Sequence, residues 1–287
     1  MLAIEVGTSQ GPALLDWTAP AAAPVTFVMA LTHGAGGSTS ASDLHAARDA
    51  AVQLGGGVAL VTQPYRVRGA RAPGSAERQD QAWIEIMTWL RQSDLTAPHL
   101  AQAPQTHQAP QAHQAPQTYQ APQTYQAQQT HQAQQTHQAQ QAHQAQQAHE
   151  LREPQQPLEP IPLIVGGRSN GARVACRTAA AVGAQGVLAL AFPLQPPARR
   201  SRGSGTATFP PDRSAELRAG AAGGRPVLVL NGGRDPFGIP PADESISVVV
   251  LKDETHALSK RPAAVTEAVT TWLSGVMLQV PGGNQVG

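Results

Sequence analysis

Largely apolar runs of four to eight residues recur along this chain, at 25–32, 58–62, 161–165, 187–192, 227–230 and 246–251. A strand buried on both faces reads as such a run, because neither face meets water. Between the runs lie stretches whose apolar residues return at helical spacing. In 42–54 the stripe is Leu44, Ala47, Ala51 and Leu54, with Ser42 as the expected N-cap. In 77–91 it is Trp83, Ile86, Met87 and Leu90. A helix is also expected at 170–182 with Gly183 beyond its end, a short one at 215–219, and another from Pro262 through 263–273. Buried strands alternating with helices imply an α/β fold with a mostly parallel, doubly wound sheet and helices on both faces. Residues 2–6 and 13–17 precede it as a hairpin that turns at Ser9-Gln10-Gly11-Pro12.

One segment breaks this pattern. From Gln105 to His149 a six-residue unit repeats, with His107, His113, Tyr119, Tyr125, His131, His137, His143 and His149 in the same slot. It holds no aliphatic residue larger than alanine, so it cannot bury a core. The expected organisation is one domain formed by 1–94 and 160–287, with 95–159 as a disordered, low-complexity insertion. The histidines do not suggest a metal site. On an α-helix six residues turn about 600°, so neighbouring slots point apart. On polyproline II they align but stand roughly 19 Å from one another.

Elsewhere the composition excludes more than it selects. The net charge of +1 gives no global attraction to nucleic acid or to a membrane surface. The single cysteine, Cys176, rules out an intrachain disulfide and reads as a small core residue. No apolar segment is long enough to span a bilayer, so a cytoplasmic protein is expected. The chain has neither a phosphate-binding loop nor a dinucleotide fingerprint, and no cofactor is expected.

The chemistry lies at strand ends. Gly167-Arg168-Ser169-Asn170-Gly171 is a G-x-S-x-G turn between the run 161–165 and an Ala-rich helical stretch. That context is what the motif requires: Gly167 and Gly171 permit a tight strand-to-helix turn that exposes a serine at the carboxyl end of a sheet. A serine hydroxyl is a weak nucleophile until a base takes its proton. Asp235 follows the run 227–230, and His256 follows 246–251, so both fall on the same sheet edge as Ser169. Their order in the chain, Ser, Asp, His, is that of α/β-hydrolases. Ser169 is read as nucleophile, His256 as base and Asp235 as the acid that orients it; Asp253 and Glu254 share the loop of His256 and are less suited. His33-Gly34-Ala35-Gly36-Gly37 ends the run 25–32 as an oxyanion loop does. The N–H groups of Ala35 and Asn170 are the expected oxyanion donors, with Gly34, Gly36 and Gly37 as motif glycines.

Several of these stretches together carry a resemblance. They are the His33–Gly37 loop, Pro64-Tyr65-Arg66-Val67-Arg68-Gly69, residues 166–175, Phe192-Pro193-Leu194 with Pro196-Pro197, and Arg234-Asp235-Pro236-Phe237-Gly238. Over nearly all the chain outside 95–160 it resembles the α/β-hydrolase-like family of the NSL-complex subunit and the testis-expressed hydrolase-like proteins, in its bacterial predicted-hydrolase branch. The resemblance implies the α/β-hydrolase fold and the same triad, Ser169, Asp235 and His256. It also implies that some relatives act as scaffolds. This chain departs from the family pattern at Asn170, at Ala172 and at Thr255, where Met, Gly and Asp are usual.

Arg66, Arg68, Arg71, Arg168, Arg199, Arg200 and Arg202 crowd the strand ends. Arg66, Arg68 and Arg168 could select an anionic substrate, although a solvated basic surface is the commoner origin of such residues. Two function classes stay open: a serine hydrolase acting on a small ester or thioester through an acyl-serine, and a weakly catalytic hydrolase-like module that binds a protein partner through the Gln-rich tract.

Overall fold

A computed structural model describes residues 2–21, 23–96, 161–196, 199–200, 207–208 and 211–279. The hexapeptide repeat lies outside the described residues, as do the side chains of Arg199, Arg200 and Arg202. The described residues all fall within one compact unit.

The elements follow one another as β1 (Leu2–Val6), β2 (Ala13–Thr18), β3 (Phe27–Thr32), α1 (Ser42–Gln53), β4 (Gly56–Thr62), α2 (Pro64–Val67), α3 (Ala76–Gln92), β5 (Leu163–Arg168), α4 (Asn170–Thr178), β6 (Gly186–Leu190), β7 (Arg199–Arg200), β8 (Ala207–Thr208), α5 (Ser214–Ala221), β9 (Val227–Gly232), β10 (Ile246–Leu251) and α6 (Pro262–Gln279). Eight strands form one sheet in the order β1-β2-β4-β3-β5-β6-β9-β10, and β7 pairs with β8 in a separate two-residue ribbon. β1 and β2 form an antiparallel hairpin, β2 runs antiparallel to β4, and the remaining six strands are parallel. This is the α/β-hydrolase fold.

Both faces of the sheet are covered, which is why its inner strands are apolar throughout. Leu44, Ala47 and Ala51 of α1 pack with Val265, Val269 and Leu273 of α6 on one face. Trp83, Ile86 and Leu90 of α3 pack with Val174 and Ala175 of α4 and Leu217 of α5 on the other. The chain leaves β3 toward β4 on one side, then returns to place β5 on the other. Ligands of open parallel sheets bind at such a reversal, beyond the carboxyl ends of the strands. The register sets those ends level: Thr32 pairs with Gly167, and Gly232 with Leu251.

Local details depart from the sequence expectation in four places. Ser42 is the first residue of α1, and the cap position falls to Ala41, which makes no side-chain cap bond. Pro64–Val67, outside every helix expected from the sequence, is one helical turn, because Pro64 presets its first residue. α4 stops at Thr178 and not at 182. The turns that follow close in a Schellman arrangement: Gly183, at φ 60°, donates to the Ala180 carbonyl at 3.1 Å, and Ala184 donates to that of Ala179 at 2.9 Å. α6 continues to Gln279, beyond the expected end at 273.

Candidate active site

Ser169 is the single residue between β5 and α4, and its backbone sits at φ 53°, ψ −110°. A side chain rarely adopts this conformation, and the surroundings impose it. A Cβ at either Gly167 or Gly171 would stand 2.5 Å from the Thr32 carbonyl oxygen. Only with both positions bare can β5 and α4 close on the end of β3 and turn the serine outward. The Ser169 N–H is held by the Leu190 carbonyl of β6 at 2.8 Å.

Three side chains from separate loops meet there. The Ser169 Oγ lies 2.9 Å from His256 Nε2, and His256 Nδ1 lies 2.8 Å from Asp235 Oδ2. The Asp235 carboxylate is fully buried, whereas the His256 ring keeps a solvent-facing part. Asp235 Oδ1 accepts the Phe237 N–H at 2.9 Å, and the Phe237 ring meets the His256 ring edge-to-face at 4.7 Å. Asn231 braces the same loop. Its amide exchanges two hydrogen bonds with the Phe192 backbone, at 2.9 and 3.1 Å, and donates to the Gly238 carbonyl at 3.1 Å. The neighbouring carboxylates are engaged elsewhere. Asp253 pairs with Arg234 at the surface, and buried Glu254 accepts the Arg261 N–H at 2.6 Å where α6 begins.

The loop after β3 is built around a buried histidine. Gln63 N–H donates to His33 Nε2 at 3.1 Å, so the ring proton sits on Nδ1, which donates to the Gly34 carbonyl at 2.8 Å. Burial, and secondarily the Arg66 cation, lower the His33 pKa and keep the ring neutral, against the opposing pull of its bond to Gly34. The Gly37 N–H adds a second bond to the same carbonyl at 3.1 Å. In a trans peptide the N–H points opposite to the C=O. Tying back the Gly34 carbonyl therefore turns the Ala35 N–H outward. The Tyr65 hydroxyl donates to the Ala35 carbonyl at 3.0 Å, and Arg66 Nε to the Gly37 carbonyl at 3.0 Å. On the other wall the Asn170 N–H opens α4, and its side chain donates to Gln79 Oε1 of α3 at 2.6 Å. Among the described residues, no hydrogen-bond acceptor takes the N–H of Ala35 or of Asn170. Gly34 is packed, since a Cβ there would lie 3.4 Å from that of Ser169, whereas a Cβ at Gly36 would meet nothing within 4 Å.

The three arginines considered for substrate contact are each tied to protein. Arg168 Nε lies 2.9 Å from Asp43 Oδ2 of α1, and its Nη2 donates to the His256 carbonyl at 2.7 Å. Asp43 is fully buried; burial raises its pKa to about 6 despite the Arg168 cation. Arg66 donates to Gly37 and, through Nη1, to the Ala70 carbonyl at 3.1 Å. Arg68 is exposed and donates to the Gln10 carbonyl of the β1–β2 turn. Among the described residues, no three His, Cys, Asp or Glu side chains are placed to hold a metal ion, and no helix is long and apolar enough to cross a membrane.

His33, Asp43, Tyr65, Gln79 and Asn231 escaped the sequence reading as site residues. His33 and Tyr65 entered it only as members of motifs, and Asn231 only as the residue that follows the apolar run 227–230. The others meet the site from elements distant in sequence.

This fold and strand-end serine place the chain in a known class. Residues 112–272 match the model of the alpha/beta hydrolase domain family, and the chain belongs to that family. No curated protein matches it as a relative. Solved structures share its fold. An α/β serine hydrolase without a lid from Xanthomonas campestris is 16% identical with a TM-score of 0.54, covering 96% of this chain and 94% of that one. Est1E of Butyrivibrio proteoclasticus, solved with ferulic acid bound, is 11% identical with a TM-score of 0.57, covering 96% and 100%. Dienelactone hydrolase of Anabaena variabilis is 14% identical with a TM-score of 0.53, covering 96% of each chain.

Proposed function

We propose that this chain is a serine hydrolase that cleaves small ester or thioester substrates through an acyl-Ser169 intermediate. The observation that carries the reading is the unbroken series from Ser169 Oγ through His256 to buried Asp235, with both links at hydrogen-bond length. His256 Nε2 takes the hydroxyl proton as Oγ attacks the substrate carbonyl carbon. Asp235 holds Nδ1–H, fixes the tautomer and stabilises the imidazolium that forms. The developing oxyanion meets the outward N–H groups of Ala35 and Asn170 at the amino end of α4. His256 then returns the proton to the leaving group, and water, activated by the same nitrogen, releases the acid. Arg66 keeps its Nη2 without a partner among the described residues, and this supports a preference for anionic substrates.

Labelling with a fluorophosphonate tests the reading. Wild type should be modified at Ser169 and Ser169→Ala should not. A folded wild type that resists the probe would rule out an activated serine and leave a hydrolase-like binding module as the better account. A shared preference for neutral over carboxylate-bearing esters in wild type and Arg66→Ala would remove the anionic-substrate part.

A further inference from the structure

We propose that Asp43 and Arg168 are positioning residues that set the stance of His256 against Ser169. The proposal rests on the serine-hydrolase reading above and adds two residues to it.

One guanidinium touches His256 and Asp43 and lies beside the His33–Gly37 loop. Arg168 is the last residue of β5 and the immediate neighbour of Ser169. Its Nη2 donates to the His256 carbonyl at 2.7 Å, across 88 residues of chain. Its Nε meets fully buried Asp43 in the first turn of α1 at 2.9 Å. Its Nη1 lies beside the oxyanion loop, 3.5 Å from where a Cβ of Gly34 would stand.

The loop carrying His256 needs such a fixture. Its near end is anchored where the Glu254 carbonyl accepts the Arg234 N–H at 2.9 Å, and its far end where Leu258 takes a left-handed φ of 47°. Between them, the one hydrogen bond to the His256 backbone among the described residues comes from Arg168. The imidazole bonds to Asp235 and Ser169 hold the ring but leave its pivot to the carbonyl on the same residue. Asp43, in turn, keeps the guanidinium from swinging out, since its buried carboxylate is ion-paired with Nε at 2.9 Å on the edge away from the His256 carbonyl. Asp43 touches neither Ser169 nor His256 and acts through Arg168.

Lysine cannot reproduce this role, because one ammonium on a flexible stem does not span two fixed acceptors in a fork. Misplacing a catalytic group by about 1 Å costs on the order of 10²-fold in rate. Arg168→Met and Arg168→Lys should therefore lower kcat for a neutral test ester, p-nitrophenyl acetate, by about 10²-fold, with KM nearly unchanged. Asp43→Asn should cost less. The double variant Asp43→Asn/Arg168→Met, which leaves no buried charge unpaired, should cost no more than Arg168→Met alone. Additive losses, or a fall carried by KM, would overturn the clamp.

A second readout needs no turnover and works in Ser169→Ala. The His256 Nδ1–H held against Asp235 gives a low-field proton resonance. It should be present with Arg168 and lost or broadened in Arg168→Met, while the thermal unfolding transition stays cooperative. Its persistence in Arg168→Met would overturn the proposal whether or not wild type turns over. Failure of fluorophosphonate to label wild type would instead count against the hydrolase reading alone.

Discussion

Replacing Ser169 with glycine should make the protein more stable than replacing it with alanine. Ser169 sits at φ 53°, ψ −110°, where a Cβ crowds its own backbone. Such a residue costs of order 1–3 kcal/mol, repaid by the structure around it. Both substitutions remove the hydroxyl and its bond to His256, so their difference isolates the Cβ. Alanine keeps the strain and glycine relieves it, at an entropic cost of roughly 0.5–1 kcal/mol. The net advantage of Ser169→Gly is then about 1 kcal/mol, or roughly 2–4 °C in Tm for a domain of this size. Equilibrium urea unfolding, followed by the fluorescence of buried Trp83, measures it if the two variants share a slope. A Ser169→Gly protein equal to or less stable than Ser169→Ala would mean that the turn stores no strain at this residue.

Three further outcomes are expected. Gly171→Ala drives a Cβ to 2.5 Å from the Thr32 carbonyl oxygen and 2.8 Å from that of His33. It should cost about 1–3 kcal/mol in stability and on the order of 10²-fold in turnover; a wild-type rate would show that β3 yields freely. Tyr65→Phe frees the Ala35 carbonyl and should lower kcat by about 2- to 10-fold, the range of one neutral hydrogen bond, and an unchanged kcat would remove Tyr65 from the oxyanion loop. Asp43 binds its proton more tightly in the folded chain, at about 6 against 3.8. The stability linked to it is fully present below about pH 4 and is lost as pH rises through 6, a change on the order of 3 kcal/mol. Asp43→Asn should flatten that part of the stability–pH curve, and identical curves for the two proteins would refute the linkage.

The sheet was legible because its signals are local and redundant. Six apolar runs and the helical stripes between them each announce one element, and the rule that parallel crossovers are right-handed leaves few ways to join them. The G-x-S-x-G turn was legible because it demands a strand before and a helix after, and both are written beside it. Asp235 and His256 stood out by their places after strands, and the structure brings both side chains together beside Ser169. Boundaries were less so. Pro64–Val67 became a helical turn because its carbonyls meet N–H groups within the loop, which no periodicity over four residues can reveal. Asp43 read as an ordinary acidic residue in a first helical turn. Nothing in 42–54 hints that it meets a guanidinium from β5. His33 read as part of a glycine-rich loop, and its role comes from Gln63, which is fixed on it only when β3 and β4 lie side by side.

The residue between the glycine and the serine is formally the free position of the G-x-S-x-G turn, yet the structure makes it a ruler. Ser169 leaves β5, and His256 follows β10, three strands further across the sheet. Each intervening strand pair can shift, and the sheet twists, so its hydrogen bonds alone would leave the gap from Oγ to Nε2 to accumulate those errors. A side chain attached next to Ser169 that bonds directly to the His256 backbone bypasses the whole path. It ties the His256 backbone to the strand that ends beside Ser169 through one guanidinium. The same group lies beside Gly34, so the His33–Gly37 loop is referred to the same origin. On this argument arginine before the serine is a requirement of geometry set by Asp43 on one side and His256 on the other. A substitution there should loosen the series from Ser169 to Asp235 while leaving the sheet intact.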